Sequence, residues 1–236
     1  MASAYYSNTV HINFASVLAM ENPGIVSVLN ALMASGLEGF LVCPAVIYES
    51  ELVDFFNNGS LRDDLVVSTV NGVQVDISEQ LFAETFELPV DGLADLSDMP
   101  KDKIFDARSI VSLSGEPVSL SGRKGQMKIE YRLLFDIMAK AISVKAGSFN
   151  ALTVEKFSLL TAVVCGIRMN WASILFNILK KMVSAGSKQA KGFAGQISLL
   201  LESIPNLELG ESMEFPVRVD AQLANLWCVC FIYSYI

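Results

Sequence analysis

The chain predicts a mainly α protein, a helical bundle with one embedded β-hairpin, at the margin of the α+β class. Three observations carry this. Apolar residues recur three and four apart along most of the chain, the spacing of one helix face. One stretch, Val66–Ile77, alternates instead, with Asn71-Gly72 at its centre. Nowhere do strand patterns alternate with helical ones, as a parallel sheet would require.

Up to residue 21 the pattern is irregular or a short strand. Asn22-Pro23 then predicts a helix start, Asn as cap and Pro at the first helical position. Val26, Leu29, Leu32 and Met33 form its stripe and Gly36 its left-handed end. Residues 1–47 thus read as an N-terminal segment with one helix, closed by an apolar link broken at Pro44. Ser50 is the expected cap of the next helix, with Leu52, Phe55 and Phe56 on one face and Gly59 after it. In the hairpin, Asn-Gly suits a type I′ turn because both central residues need φ > 0. Ser78 caps the helix that follows, Ile77 and Phe82 staple it, and Pro89 closes it.

From Asp91 to Gly125 the pattern dissolves into a long connection with one short helix near Lys103–Arg108. Such a connection is uncommon inside one compact unit, so the boundary between two lobes is expected near residue 110. Four helical patterns follow: Met127–Val144, a helix capped by Thr153, Asn170–Val183, and Gly192–Ile204. Residues 48–186 read as the central domain and 187–236 as a last helix with an apolar tail. That tail, Leu223–Ile236, is uncharged and β-prone, and is expected to pack poorly and to aggregate when exposed.

At 236 residues the chain can bury a substantial core, and its 52% hydrophobic content excludes a disordered chain. No apolar run reaches the ~18–20 residues of a membrane span, so no transmembrane span is expected. The first residues, to Met20, hold no Lys or Arg and no continuous apolar block. An intracellular chain is therefore expected over a secreted one. Cys43, Cys165, Cys228 and Cys230 accordingly read as thiols and not as a disulfide framework.

The net charge of −8 hides an asymmetry. Residues 1–120 carry 4 Lys/Arg against 17 Asp/Glu, whereas residues 121–200 carry 12 against 3. This predicts either two lobes that attract each other or a basic face for an anionic partner. The candidate polyanion contacts are Arg123, Lys124, Lys128, Arg132, Lys180, Lys181, Lys188 and Lys191. Nucleic acid held by its phosphates, without base readout, is the partner such a face implies. Against single-strand stacking, Phe149, Phe157, Trp171 and Phe176 mostly fall on apolar faces. The plainer alternative is the solvated side of amphipathic helices.

No catalytic, cofactor or metal motif stands out. His11 is the only histidine, and an imidazole in an irregular segment lacks the rigid orientation a triad demands. Cys228-Val-Cys230 lacks the usual zinc-ligand spacing and has no His to complete a site. Gly115–Gly125 is glycine-rich, but Lys124 is followed by Gly, so no hydroxyl is placed for Mg²⁺. Asp63-Asp64, Asp91, Asp95, Asp98, Asp102 and Asp106 invite a two-metal nuclease reading. An acidic linker is the plainer one, since such carboxylates need rigid strands and helices. Asn58-Gly59-Ser60 is a glycosylation sequon that matters only in a secreted chain.

The order of features across Tyr48–Val183 resembles the plant transposon protein domain family of retrotransposon-derived plant genes. LVDFFNNGS resembles its aromatic helix segment, and VVSTVNGVQVDISEQLFAETFELP its hairpin–helix. KIEYRLLFDIMAKAISVKAG and LTVEKFSLLTAVVCGIRMNWASILFNILKKMV resemble its two closing helical blocks. Asn71 departs from the family, where Arg is usual. Some related chains carry the label dystroglycan-like, but no signal peptide or spanning helix is expected here to support a cell-surface role. The resemblance implies retroelement descent and no catalytic residues. The expected function is therefore a non-catalytic interaction module, binding a protein partner or itself. The alternative is a nucleic-acid-binding or nucleic-acid-processing protein of a mobile element.

Overall fold

Helices dominate, as the apolar spacing requires, and the sheets are small. The computed structural model describes residues 11–44, 46–144, 151–214 and 217–219. Lys145, Phe149, Cys228, Cys230 and the apolar tail Leu223–Ile236 lie outside the described residues.

The chain enters through β1 (His11–Ile12) and a short helix α1 (Phe14–Leu18), where an irregular stretch or strand is expected. The Asn13 side chain accepts from Ser16 N–H and starts that helix, and Phe14 and Val17 are buried beneath it. Helix α2 (Pro23–Leu32) begins as the sequence predicts, with Asn22 Oδ1 accepting from Ile25 N–H at 3.1 Å. Gly36 takes the left-handed conformation at φ 90°, but the chain does not leave the helical path. A π-type turn (Met33–Leu37) leads into α3 (Glu38–Leu41), so the expected apolar link is largely helical. Gly39 allows this: a Cβ there would overlap the carbonyl oxygen of Phe86.

The helical run Pro23–Leu41, 19 residues with a mean hydropathy of 1.5, is by length and composition alone long and apolar enough to cross a membrane, where no such span was expected. In the fold it is kinked at Gly36, and Ile25, Leu29, Leu32, Leu37 and Phe40 are buried in the core.

After β2 (Val46–Ile47) comes α4 (Glu49–Asn58), whose cap position is Tyr48 and not Ser50. No side chain caps that end. Leu52, Phe55 and Phe56 are buried as the pattern predicts. The hairpin is β4 (Leu65–Val70) against β5 (Val73–Ile77), with Val70 opposite Val73. Asn71 at φ 48° and Gly72 at φ 78° form its turn. A third strand, β3 (Ser60–Arg62), pairs with β4 and was not foreseen. Asp63 and Asp64, at φ 49° and 64°, make the connecting turn. Short polar side chains tolerate the left-handed region, so this acidic pair has a conformational role in place of a metal-binding one. Helix α5 (Glu79–Thr85) is capped by Ser78 Oγ, which accepts from Leu81 N–H at 3.0 Å.

The long connection carries one helix, α6 (Lys101–Ile110), near the expected place. It is followed by α7 (Ile129–Ile137), continued as a π-type turn over Met138–Ser143. Helix α8 (Val154–Val164) is capped by Thr153, and α9 (Trp171–Val183) by Asn170. Helix α10 (Ala194–Glu202) occupies the last predicted pattern. Two short strands end the described chain: β6 (Met213–Glu214) pairs antiparallel with β2, and β7 (Val217–Val219) parallel with β1.

Buried apolar side chains on either side of residue 110 belong to one cluster running from Phe14 to Leu201. At its centre Phe40 meets Phe193 edge-on at 4.9 Å, Phe86 at 5.3 Å and Phe82 at 6.0 Å, and Phe82 meets Phe176 at 5.7 Å. Such tilted ring pairs gain electrostatically beyond the area they bury. Trp171, fully buried, donates from Nε1 to the Ser35 carbonyl at 2.9 Å and ties α9 to the π-type turn after α2.

Candidate functional site

The predicted basic residues do not share one face in a uniform state. Arg123, Lys181 and Lys188 are exposed, while the other five are half-buried and engaged within the chain. Lys124 Nζ donates to both oxygens of Asp136, at 2.7 and 2.5 Å. Arg132 donates to the carbonyls of Met127 and Gly125, each at 2.6 Å, and so braces the loop entering α7. Lys128 donates to the Ile110 carbonyl at 3.0 Å and lies over the Tyr131 ring. Lys180 is 3.9 Å from Asp64 and lies over the Phe176 ring, and Lys191 lies over Phe56. Burial pushes the Lys191 ammonium below its ordinary value.

Two buried carboxylates organise the polar interior. Asp136 is 3% exposed on α7. Burial lifts it above the ordinary carboxylate range, against the opposing pull of Lys124 and, further off, Lys140 and Lys156. Glu51 is 2% exposed in the first turn of α4. Its Oε1 accepts from Asn71 Nδ2 at 3.1 Å and from Gly210 N–H at 2.8 Å, while its Oε2 is buried with no hydrogen-bond partner among the described residues. Asn71 Nδ2 also donates to the Glu208 carbonyl at 3.0 Å. One amide thus joins the hairpin turn, α4 and the 208–210 segment. Neither carboxylate was singled out in sequence as a buried tie, although a signal existed. Glu51 stands four before Phe55 on the apolar face of its helix, and Asp136 interrupts an otherwise apolar run.

The acids of the two-metal reading serve local ends. Asp91 pairs with Arg168, Nε to Oδ1 at 2.9 Å. Asp95 accepts from Ser97 N–H and Oγ at 2.8 Å, which holds its carboxyl below the ordinary value. Among the described residues no three His, Cys, Asp or Glu side chains gather as metal ligands. The Cys43 thiol is pushed up to about 12 by burial, and Cys165 is raised by the same cause. Neither is therefore a ready thiolate near neutral pH.

The open clefts among the described residues include two that border α8. One, of about 490 Å³, lies between the 94–97 turn and the α8–α9 pair. Ile174, Ile178 and Val154 supply its apolar wall, and Asp95, Asn177 and Lys181 its polar rim. The other, of about 470 Å³, lies between the end of α2 and the end of α8, with Asp91 and Arg168 among its lining. In the first, the Ser97 hydroxyl donates to Asp95 within a local turn, and no histidine lines either cleft.

The chain matches no family model, no curated protein and no solved structure.

Large apolar side chains in solvent concentrate in one part of the long connection. Phe105 is 57% exposed and Ile110 41% exposed on α6, and Leu113, in the turn after it, is 65% exposed. Single exposed apolar residues are ordinary; these three stand within nine residues of chain, where the other large exposed apolar residues among the described ones stand singly.

Proposed function

We propose that this chain is a non-catalytic interaction module of retroelement descent in plants. The descent rests on the order of features across Tyr48–Val183 described above. The binding role is carried by one observation, the exposure of Phe105, Ile110 and Leu113 along α6 and the turn after it. A large aromatic side chain in water is the kind of group that anchors a protein interface. The partner is a protein surface, supplied by another chain or by a second copy of this one.

Photo-crosslinking tests this. A crosslinking residue at Phe105 or Leu113 is expected to capture protein at one defined mass. One at Val90, which is 67% exposed and outside this stretch, is not. Equal capture at all three positions, or none at any, rejects the reading.

A second reading, polyanion binding through residues 121–200, is favoured by the exposure of Arg123, Lys181 and Lys188. Affinity for a long nucleic acid would then fall steeply with salt and show little sequence preference. Replacing these three by Gln would flatten the salt dependence by about one unit of slope per lost phosphate contact. A triple variant with unchanged salt dependence rejects it.

A further inference from the structure

We propose that Asn71 is a site of hydrolytic modification, and that loss of ammonia from its side chain releases the 208–210 segment from the hairpin tip. The chemistry is intramolecular. The Gly72 backbone nitrogen attacks Asn71 Cγ, the new C–N bond closes a five-membered imide, and the Cγ–Nδ2 bond breaks. Ammonia leaves with the proton given up by Gly72. Water then opens the imide at either carbonyl, giving an aspartyl or isoaspartyl linkage. Nδ2 has been exchanged for oxygen, and no oxidant or other reactant is needed.

Two features single out this position. The first is access. Asn71 and Gly72 are exposed at the turn, and the space where a Gly72 side chain would lie is empty to 4 Å. The chain has one other Asn-Gly step, Asn58-Gly59, and it is crowded. A Cβ at Gly59 would meet Phe55 O at 2.8 Å and Val183 Cγ1 at 3.0 Å. Asn58 Nδ2 donates to the Thr69 carbonyl at 2.7 Å, as Asn71 Nδ2 donates to two acceptors of its own, so it is the glycine and not the amide that separates the two sites. The same dipeptide therefore occurs twice in one molecule, both asparagines exposed, with the glycine exposed at one site and half-buried and crowded at the other.

The second feature is consequence. Asn71 Nδ2 is a donor between two acceptors, Glu51 Oε1 and the Glu208 carbonyl. After the exchange an anionic oxygen would face both. Asp54 is also at hand, its Oδ2 accepting from Asn71 N–H at 3.3 Å. Glu51 cannot relieve the repulsion by turning into solvent, since it is 2% exposed and its Oε2 is already buried without a partner among the described residues. A carboxylate at the exposed Asn71 position no longer donates to Glu51 or to the Glu208 carbonyl, and beside the buried Glu51 it turns toward solvent or holds a proton. What gives way is the element joined by the fewest bonds, the 208–210 segment, held at this point by Asn71 Nδ2 on Glu208 O and by Glu51 on Gly210 N–H. The short β2–β6 pairing at Met213 and Glu214 follows along the chain. At Asn58 the exchange removes one donor from the Thr69 carbonyl, at an exposed position.

The test ages the full chain at mildly alkaline pH and physiological temperature. Peptide mapping locates the hydroxyl-for-amino exchange, and hydrogen exchange follows the Gly210, Met213 and Glu214 amides. Asn71 is expected to convert several-fold faster than Asn58, and Gly210 in the converted fraction to exchange about tenfold faster, the loss of one net hydrogen bond. The directly made Asn71→Asp variant is expected to show the same loss of protection. If that variant does not fold, the aged parent still supplies both populations in one sample. Conversion at Asn58 as fast as at Asn71, or undiminished Gly210 protection in converted chains, overturns the proposal.

Discussion

The acidic hairpin region and the basic helical region each bury one carboxylate, and they stabilise it differently. Asp136, on α7, receives an ammonium group directly, Lys124 Nζ at 2.5 Å from its nearer oxygen. Glu51, on α4, receives neutral donors, an amide and a backbone N–H, and leaves one oxygen without a bond among the described residues. A direct charge pair draws on Coulomb attraction that grows as water is excluded, and it costs heavily when one member is lost. An arrangement of neutral donors is weaker bond for bond, but it joins three segments distant in sequence. The basic region is held locally by charge, across a span of twelve residues from Lys124 to Asp136. The hairpin region is held at long range by hydrogen bonds, the tie from Glu51 to Gly210 spanning 159 residues.

The largest expected effect comes from breaking the charge pair. Lys124→Met leaves Asp136 buried without its cation and is expected to lower stability at neutral pH by about 3–5 kcal/mol in urea unfolding. The loss should shrink in acid, where Asp136 is protonated. A cost under about 1 kcal/mol would show that the pair is solvated in practice and that the contrast with Glu51 is false.

Disrupting the hairpin tip comes next. Asn71→Val with Gly72→Val places β-branched residues at φ 48° and 78°. The pair is expected to cost about 2 kcal/mol or more, since each strained position costs 1–3 kcal/mol. An unchanged melting temperature would mean that the turn adds nothing to the fold.

Glu51→Ala isolates the hydrogen-bonded tie. It leaves Gly210 N–H without its acceptor while Asn71 retains the Glu208 carbonyl. The expected cost is about 1–3 kcal/mol, the range for a stranded buried donor. Native-state exchange should place the loosening at Gly210 and not in α7. Loosening spread evenly over both regions would show that the two carboxylates act in one network.

The smallest effect is a change of slope with pH. Asp136 has a folded value above its unfolded one, so the folded state binds that proton more tightly. Its contribution is therefore full below the ordinary carboxylate value and is lost as pH rises through the raised folded value. Asp136→Asn should flatten the parent's decline in stability across that interval. An unaltered slope would assign the decline to other groups.

Much of the secondary structure was legible because its causes are local. Asn71-Gly72 specified its turn, and Asn22, Ser78 and Thr153 each cap the helix they were expected to cap, while Asn170, expected inside its helix, caps it. These are contacts within a few residues, for which neighbouring side chains suffice. The misreadings share the opposite property. Ser50 looked like a cap, but the helix starts at Glu49 with Tyr48 before it. Tyr48 N–H bonds to Ser198 Oγ and its hydroxyl to Glu202, so distant residues decide how the chain enters that helix. Asp63-Asp64 looked like paired acids because nothing local announced β3, three exposed residues that become a strand by pairing with β4.

The sequence by itself determined the helical class, the hairpin and the helix starts at Asn22, Ser78 and Thr153, since periodicity and capping act over one or two turns. It also determined which residues are charged, and so the asymmetry between the two regions. Tertiary structure alone decided what those charges do. Lys124 and Arg132 look alike in a list of cations, yet one neutralises a buried acid and the other braces a loop through carbonyl oxygens. Arg123, one residue before Lys124, remains in solvent. The physical reason is that electrostatic energy depends on distance and on the exclusion of water. Both are set by which segments the fold brings together, and the spacing of residues along the chain carries no record of either.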